Sequence, residues 1–182
     1  MTTATATKTK WNLDPTHSEI GFKVKHMMIT NVSGSFKTFD VKTETVGTDF
    51  TTATIEFTAD VNTISTGSTD RDNHLKSADF FDAAAHPELK FVSTKFEKKD
   101  EENYSLQGDL TIHGVSKPVT FKVEFGGVGK DPWGNEKAGF TITGKINRTD
   151  FNLNWNAALE TGGVLVSDEV RLFAEIQLVK AA

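Results

Sequence analysis

The feature that most constrains this chain is a hydrophobic period of two that returns along nearly its whole length. Over residues 19–26, Ile20, Phe22, Val24 and His26 alternate with Glu19, Gly21, Lys23 and Lys25. Successive side chains of a strand point to opposite faces, so a run of this kind is a strand with one apolar and one wet face. The pattern recurs at Ala53, Ile55, Phe57, Ala59 and Val61, and again at Leu106, Gly108, Leu110 and Ile112. It continues through Val119, Phe121, Val123 and Phe125, then Phe140, Ile142, Gly144 and Ile146, then Val170, Leu172, Ala174, Ile176 and Leu178. Shorter candidates over residues 10–14, 32–42 and 89–97 bring the total to about eight or nine strands. The links between them are short and rich in Gly, Asn, Asp and Pro, as over 99–103, 113–118 and 126–135. Parallel pairs need long crossovers, so consecutive strands joined this way form an antiparallel meander. One stretch breaks the period: residues 69–81 (TDRDNHLKSADFF) read as a short helix with a Thr or Asp cap.

The pattern suits a closed barrel or a two-sheet sandwich. Small residues among the bulky in-facing ones (Gly108 by Leu110, Gly144 by Ile142, Ala174 by Leu172) reflect taper or room for a guest. A sandwich explains the same alternation with a dry core, and the residues alone leave both open. The composition bears on the lining. Apolar residues are only 37% of the chain, yet Phe numbers 14 against one Tyr and three Trp. Phe buries a large area and carries no polar atom to satisfy, which suits an oily interior.

Several chemistries are poorly supported. Net charge is −5 with no basic run, so no nucleic-acid footprint appears. With no Cys there is neither a disulfide nor a thiolate ligand. The five histidines, His17, His26, His74, His86 and His113, show no H-x-H or H-x-x-x-H spacing, so no metal site is expected. Gly126-Gly127-Val128-Gly129-Lys130 only superficially matches a phosphate loop, because Asp131 stands where Ser or Thr belongs. There is no G-x-S-x-G elbow. Neither a membrane span nor an apolar leader is visible, so a cytoplasmic location is expected, or a periplasmic one if a leader was trimmed. Residues 1–9 read as a disordered polar tail and 10–182 as a single domain.

The most unusual segment is 71–82. Arg71 and His74 could meet an anionic or carbonyl head group there while Phe80 and Phe81 close the barrel mouth. In the alternative, Arg71 satisfies loop backbone and the Phe pair plugs the core. Arg148, within Asn147-Arg148-Thr149-Asp150-Phe151, has the same two readings, and so does His26 on its apolar strand face.

These residues also carry a resemblance. The opening Trp11-Asn12-Leu13-Asp14-Pro15-Thr16-His17-Ser18-Glu19-Ile20-Gly21-Phe22 is similar to the start of the YceI-like family of lipocalin-like, polyisoprenoid- or lipid-binding proteins. So are Asp70-Arg71-Asp72-Asn73-His74-Leu75 with Asp79-Phe80-Phe81, then His86-Pro87, Gly108-Asp109-Leu110-Thr111-Ile112-His113-Gly114-Val115 and Val166-Ser167-Asp168-Glu169-Val170. The resemblance implies an all-β fold: an extended lipocalin-like antiparallel barrel of eight strands with a short helix near residues 70–80. It further implies a hydrophobic pore for a polyisoprenoid, an isoprenoid quinone or a prenyl pyrophosphate. It implies storage or transport rather than catalysis, no cofactor, and a homodimer. On that footing Arg71 and His74 are expected at the head group, with His17, His26 and Arg148 behind them. Phe22, Phe80, Phe81, Phe140 and Phe151 are expected in the wall or lid. A dry structural or interaction barrel is the competing reading, followed by an enzyme using one of His17, His26 and His74 as base.

Overall fold

A computed structural model describes residues 7–160 and 162–181. Eleven strands follow one another: β1 (Lys8–Leu13), β2 (Glu19–His26), β3 (Thr30–Phe36), β4 (Phe39–Val46), β5 (Asp49–Asp60), β6 (Ile64–Ser65), β7 (Glu88–Lys98), β8 (Asn103–Ile112), β9 (Val115–Lys130), β10 (Glu136–Asn147) and β11 (Val166–Lys180). One helix, α1 (Thr69–Lys76), lies between β6 and β7. The strands form one antiparallel sheet in the order β1-β4-β5-β7-β8-β9-β10-β11, and β1 pairs back onto β11. That pairing closes an eight-stranded barrel and leaves no sandwich. Strand β11 is long enough to serve two neighbours. Its C-terminal part, Leu178 to Lys180, pairs with β1, and Val170 to Glu175 pair with β2. Strands β2, β3 and the two-residue β6 therefore extend the wall at one end.

The two ends of the barrel differ. At the floor, β4–β5, β7–β8 and β9–β10 are joined by tight turns, and β1 fills the wall. At the mouth lie the connections over 61–87 and 148–165, together with the two-residue turn His113-Gly114. His113 (φ 54°) and Gly114 (φ 72°) are both left-handed, as the favoured two-residue hairpin turn requires.

Three expectations change. The wall begins at Lys8, opposite Val46, so Lys8 and Thr9 are strand rather than tail. Residues 1–6 of that tail lie outside the described residues. The candidate strand over 32–42 is two strands, interrupted at Lys37 and Thr38, whose amides turn to the Thr63 carbonyl and hydroxyl. The helix expected over 69–81 ends at Lys76, and its cap is Ser68, whose hydroxyl accepts from the Arg71 amide, with Thr69 the first helical residue.

Candidate functional site: the barrel lumen

The in-facing set of each strand meets at the axis. It encloses a cavity of about 160 Å³ in the mouth half of the barrel. Every residue lining it is apolar or glycine, from Ile20, Phe22 and Phe36 on one side to Leu106, Phe121 and Ile142 on the other. Below it a smaller void of about 40 Å³ lies between Phe50, Phe96, Val123 and Phe140. The two share Val41, Ile55, Leu106, Ile142 and Ile176 as walls, so they are stacked along the same axis.

Glycines keep the upper part open. A Cβ on Gly108 or Gly144 would come within 2.5 Å of the Phe91 or Phe121 ring, and one on Gly34 would overlap the Phe22 ring. Each ring occupies the space over a neighbouring strand's glycine. It is thereby tucked along the wall instead of filling the axis. Phe173 covers Gly21 on the opposite face of the wall, where Lys23 Nζ lies over its ring.

The floor is sealed by rings. Phe50 stands at the centre, with ring centroids 5.0 Å from Trp11, 5.4 Å from Phe125 and 5.1 Å from Phe140. Phe96 stacks on Tyr104 at 4.9 Å beside them. The indole of Trp11, only 1% exposed, donates to the Thr45 hydroxyl at 3.0 Å, so its one polar atom is satisfied.

The mouth is covered by α1 and the residues after it. Phe81 meets Phe36 edge-on at 6.2 Å, while Phe80 packs with His74 and Trp155 at 5.0 and 5.3 Å. The polar residues here are already engaged. Arg71 is exposed, and its guanidinium donates to the Thr66 hydroxyl at 2.8 Å and the Thr66 carbonyl at 2.7 Å. His74 shares a hydrogen bond with Asp79 at 2.9 Å.

Arg148 is not behind a head group. It is 3% exposed and donates to the carbonyls of Leu153, Trp155, Val166 and Ser167, with Asp168 at 3.7 Å. It therefore ties the 153–167 segment to the end of β10, and burial pulls its pKa down against the pull of Asp168. Phe151, 1% exposed, belongs to the hydrophobic core and does not line the cavity. His17 is also misplaced by the sequence reading. It is exposed on a short 3-10 turn, bonded at 2.9 Å to Asp14, whose carboxylate also takes Lys137 Nζ at 2.7 Å. The Lys137 hydrogen bond foremost, with those from Thr16 and His17, holds the Asp14 carboxyl well below the usual range. His26 is half-buried at the end of β2 opposite Thr30 and Val166, outside the cavity lining. Of the expected residues, then, Phe22 lines the upper cavity and Phe140 its floor, while Phe80, Phe81, Arg71 and His74 gather at the cover. Phe36, Phe57, Phe91 and Phe121 were not singled out, although each is lumen lining. The period of two had already placed Phe57 and Phe121 on an apolar face.

Comparison with known proteins decides the family. The YceI-like domain model matches residues 11–178. The chain belongs to the YceI-like family. A UPF0312 protein of Staphylococcus epidermidis is 42% identical over 170 residues, covering 93% of this chain and 96% of that one. The crystal structure of a Campylobacter jejuni YceI protein superposes with a TM-score of 0.76 at 34% identity, over 100% of both chains. A polyisoprenoid-binding domain from Saccharophagus degradans, implicated in plant cell wall breakdown, shares the fold with a TM-score of 0.67. Its 13% identity over 94% of this chain and 98% of that one carries the fold alone. Within the YceI-like fold, the oily lumen is the feature of this chain with no structural need to be hollow.

Proposed function

We propose that this YceI-like protein binds a long apolar molecule in its lumen, a polyisoprenoid, isoprenoid quinone or prenyl pyrophosphate, and performs no chemistry on it. The carrying observation is the lining. Among the described residues, no ionisable or hydroxyl side chain lines the upper cavity and Thr43 alone brings a hydroxyl to the lower void, so the lumen offers burial without an ionisable base or acid. A domain of the same fold is described as polyisoprenoid-binding, which makes a polyisoprenoid the first ligand to test.

Magnitudes shape the proposal. Burying an apolar chain yields roughly 0.8 kcal/mol per CH₂. For a long prenyl tail, the sum is offset by the ordering of the chain and capped by the practical limit on affinity. Burial thus supplies affinity with little discrimination, and discrimination falls to the mouth. There we assign the head group to Arg71 and His74, which would exchange Thr66 and Asp79 for the ligand. The cavity of about 160 Å³ is comparable to one that holds benzene and smaller than typical ligand pockets. A long chain therefore enters only if rings move, the nearest being Phe81 over Phe36 at the mouth and Phe140 at the floor.

That small volume equally favours a second reading, a dry structural barrel. Native mass spectrometry of protein purified from cells, followed by solvent extraction, separates the two. The carrier reading expects one extra apolar mass per chain, released by organic solvent. Bare chain mass, both as purified and after incubation with a prenyl alcohol, would leave only the dry barrel.

A further inference from the structure

The spacing of histidines along the chain offers no ligand set, but the fold assembles one outside the lumen. Asp82 and His86 share the turn that follows α1, where the His86 amide donates to the Asp82 carbonyl at 2.8 Å. His113 comes from the β8–β9 turn. One ligand atom from each of Asp82, His86 and His113 lies within 4.8 Å of the other two. The two imidazoles meet edge to face at 4.8 Å between ring centroids.

Three further observations set this cluster apart from ordinary packing. Among the described residues, none of the three side chains makes a hydrogen bond or ion pair to protein, while His17 and His74 both do. His113 Nδ1 is buried with no partner at all. Such an atom calls for a water or an ion. Asp82 (φ 47°) also sits in the left-handed region, uncommon for side-chain-bearing residues. Gly114 completes the arrangement: a Cβ there would come 2.8 Å from His86 Cε1, so a larger residue would push that ring out of place.

From this we propose that Asp82, His86 and His113 form a binding site for a divalent late transition ion, with zinc as the best match. Two imidazoles and one carboxylate are a borderline-to-hard donor set suited to zinc. Bonds of about 2.0–2.2 Å place tetrahedral ligands about 3.3 Å apart. The cluster needs closing by about 1.5 Å at most, a shift within reach of rotation of three half-buried side chains. Water fills the fourth position. The ion would fasten the turn after α1, and with it the mouth cover, to the β8–β9 turn. This site is independent of the lipid-binding reading.

The test is calorimetric titration of chelator-stripped full chain with zinc chloride, paired with cobalt(II) absorption spectra. The expected results are saturation at one zinc per chain, tetrahedral cobalt bands, and a zinc-dependent rise in Tm. His86→Gln and His113→Asn should each weaken binding at least tenfold. Asp82→Asn, which tolerates the same backbone conformation, should do likewise. His17→Gln should change nothing. Circular dichroism of the zinc-free variants checks that they fold, and the cobalt bands of the unaltered chain stand whether or not a variant does. Absence of saturable binding, octahedral cobalt only, or affinity unchanged in His86→Gln and His113→Asn would overturn the site.

Discussion

The floor and the mouth of this barrel are built from the same strands, yet they solve opposite problems. At the floor, tight turns bring Trp11, Phe50, Phe125 and Phe140 into one aromatic cluster, and only about 40 Å³ remains unfilled above it. At the mouth, rings are parked over glycines, the cover is a short helix with no fully buried residue, and the long connection after β10 is held by side-chain hydrogen bonds from Arg148 and Asn156. The contrast teaches that alternation alone makes a wall. Whether the wall encloses a plug or a space depends on where glycine faces phenylalanine. Stability is concentrated at one end and access at the other.

The largest test of that division falls on the floor. Phe140→Ala should cost about 3–5 kcal/mol in urea unfolding, the range for removing a buried ring. It should also join the two voids and raise affinity for longer prenyl chains. Equal loss of affinity for all chain lengths would mean the floor sets no length. Arg148→Met comes next. It leaves several buried carbonyls without donors, so a loss of about 2–4 kcal/mol is expected. Limited proteolysis should then cut within 152–165 first. Cleavage at the floor turns instead would show that the mouth does not depend on this tether.

Gly144→Ala sharpens the comparison from the inside. The new methyl meets the Phe121 ring and drives it toward the axis, at a cost of about 1–3 kcal/mol typical of overpacking. Displacement of an apolar fluorescent probe should show weaker binding, out of proportion to the stability lost. A smaller effect is expected with pH. The Asp14 carboxyl is held below its unfolded value by Lys137, Thr16 and His17. It therefore contributes stability that is present above the ordinary carboxylate pKa of about 3.9 and lost as pH falls toward its lower folded value. Urea midpoints measured through the acid range should fall more steeply for the native chain than for Asp14→Asn.

Much of this fold was legible because burial imposes a period. The alternation along β2, β5, β8, β9, β10 and β11 marked the in-facing set, and Phe22 and Phe140 lie where it put them. What remained hidden depends on contacts far apart in the chain. Nothing local distinguishes Arg148, which feeds carbonyls up to 19 residues away, from an arginine awaiting an anion. His17 looks like a site residue until Lys137, brought from β10, shows that the surrounding carboxylate is an outer-wall clasp. His86 and His113 are 27 positions apart and meet only because the β8–β9 turn and the turn after α1 share one end of the barrel. The split of residues 32–42 into two strands was equally invisible, since the break is made by Thr63 of a distant turn.

Carriage of a lipid by this barrel requires an oily lumen that yields to an apolar chain. Methyl NMR of the labelled protein during titration with a polyprenyl alcohol reads this residue by residue. Lumen occupancy predicts saturable shifts and ligand contacts at Leu106, Ile142 and Ile176, with Leu153, buried in the mouth segment and outside the cavity lining, unaffected. Shifts confined to exposed methyls such as those of Ile29 and Val164, with the lumen signals unmoved, would contradict it.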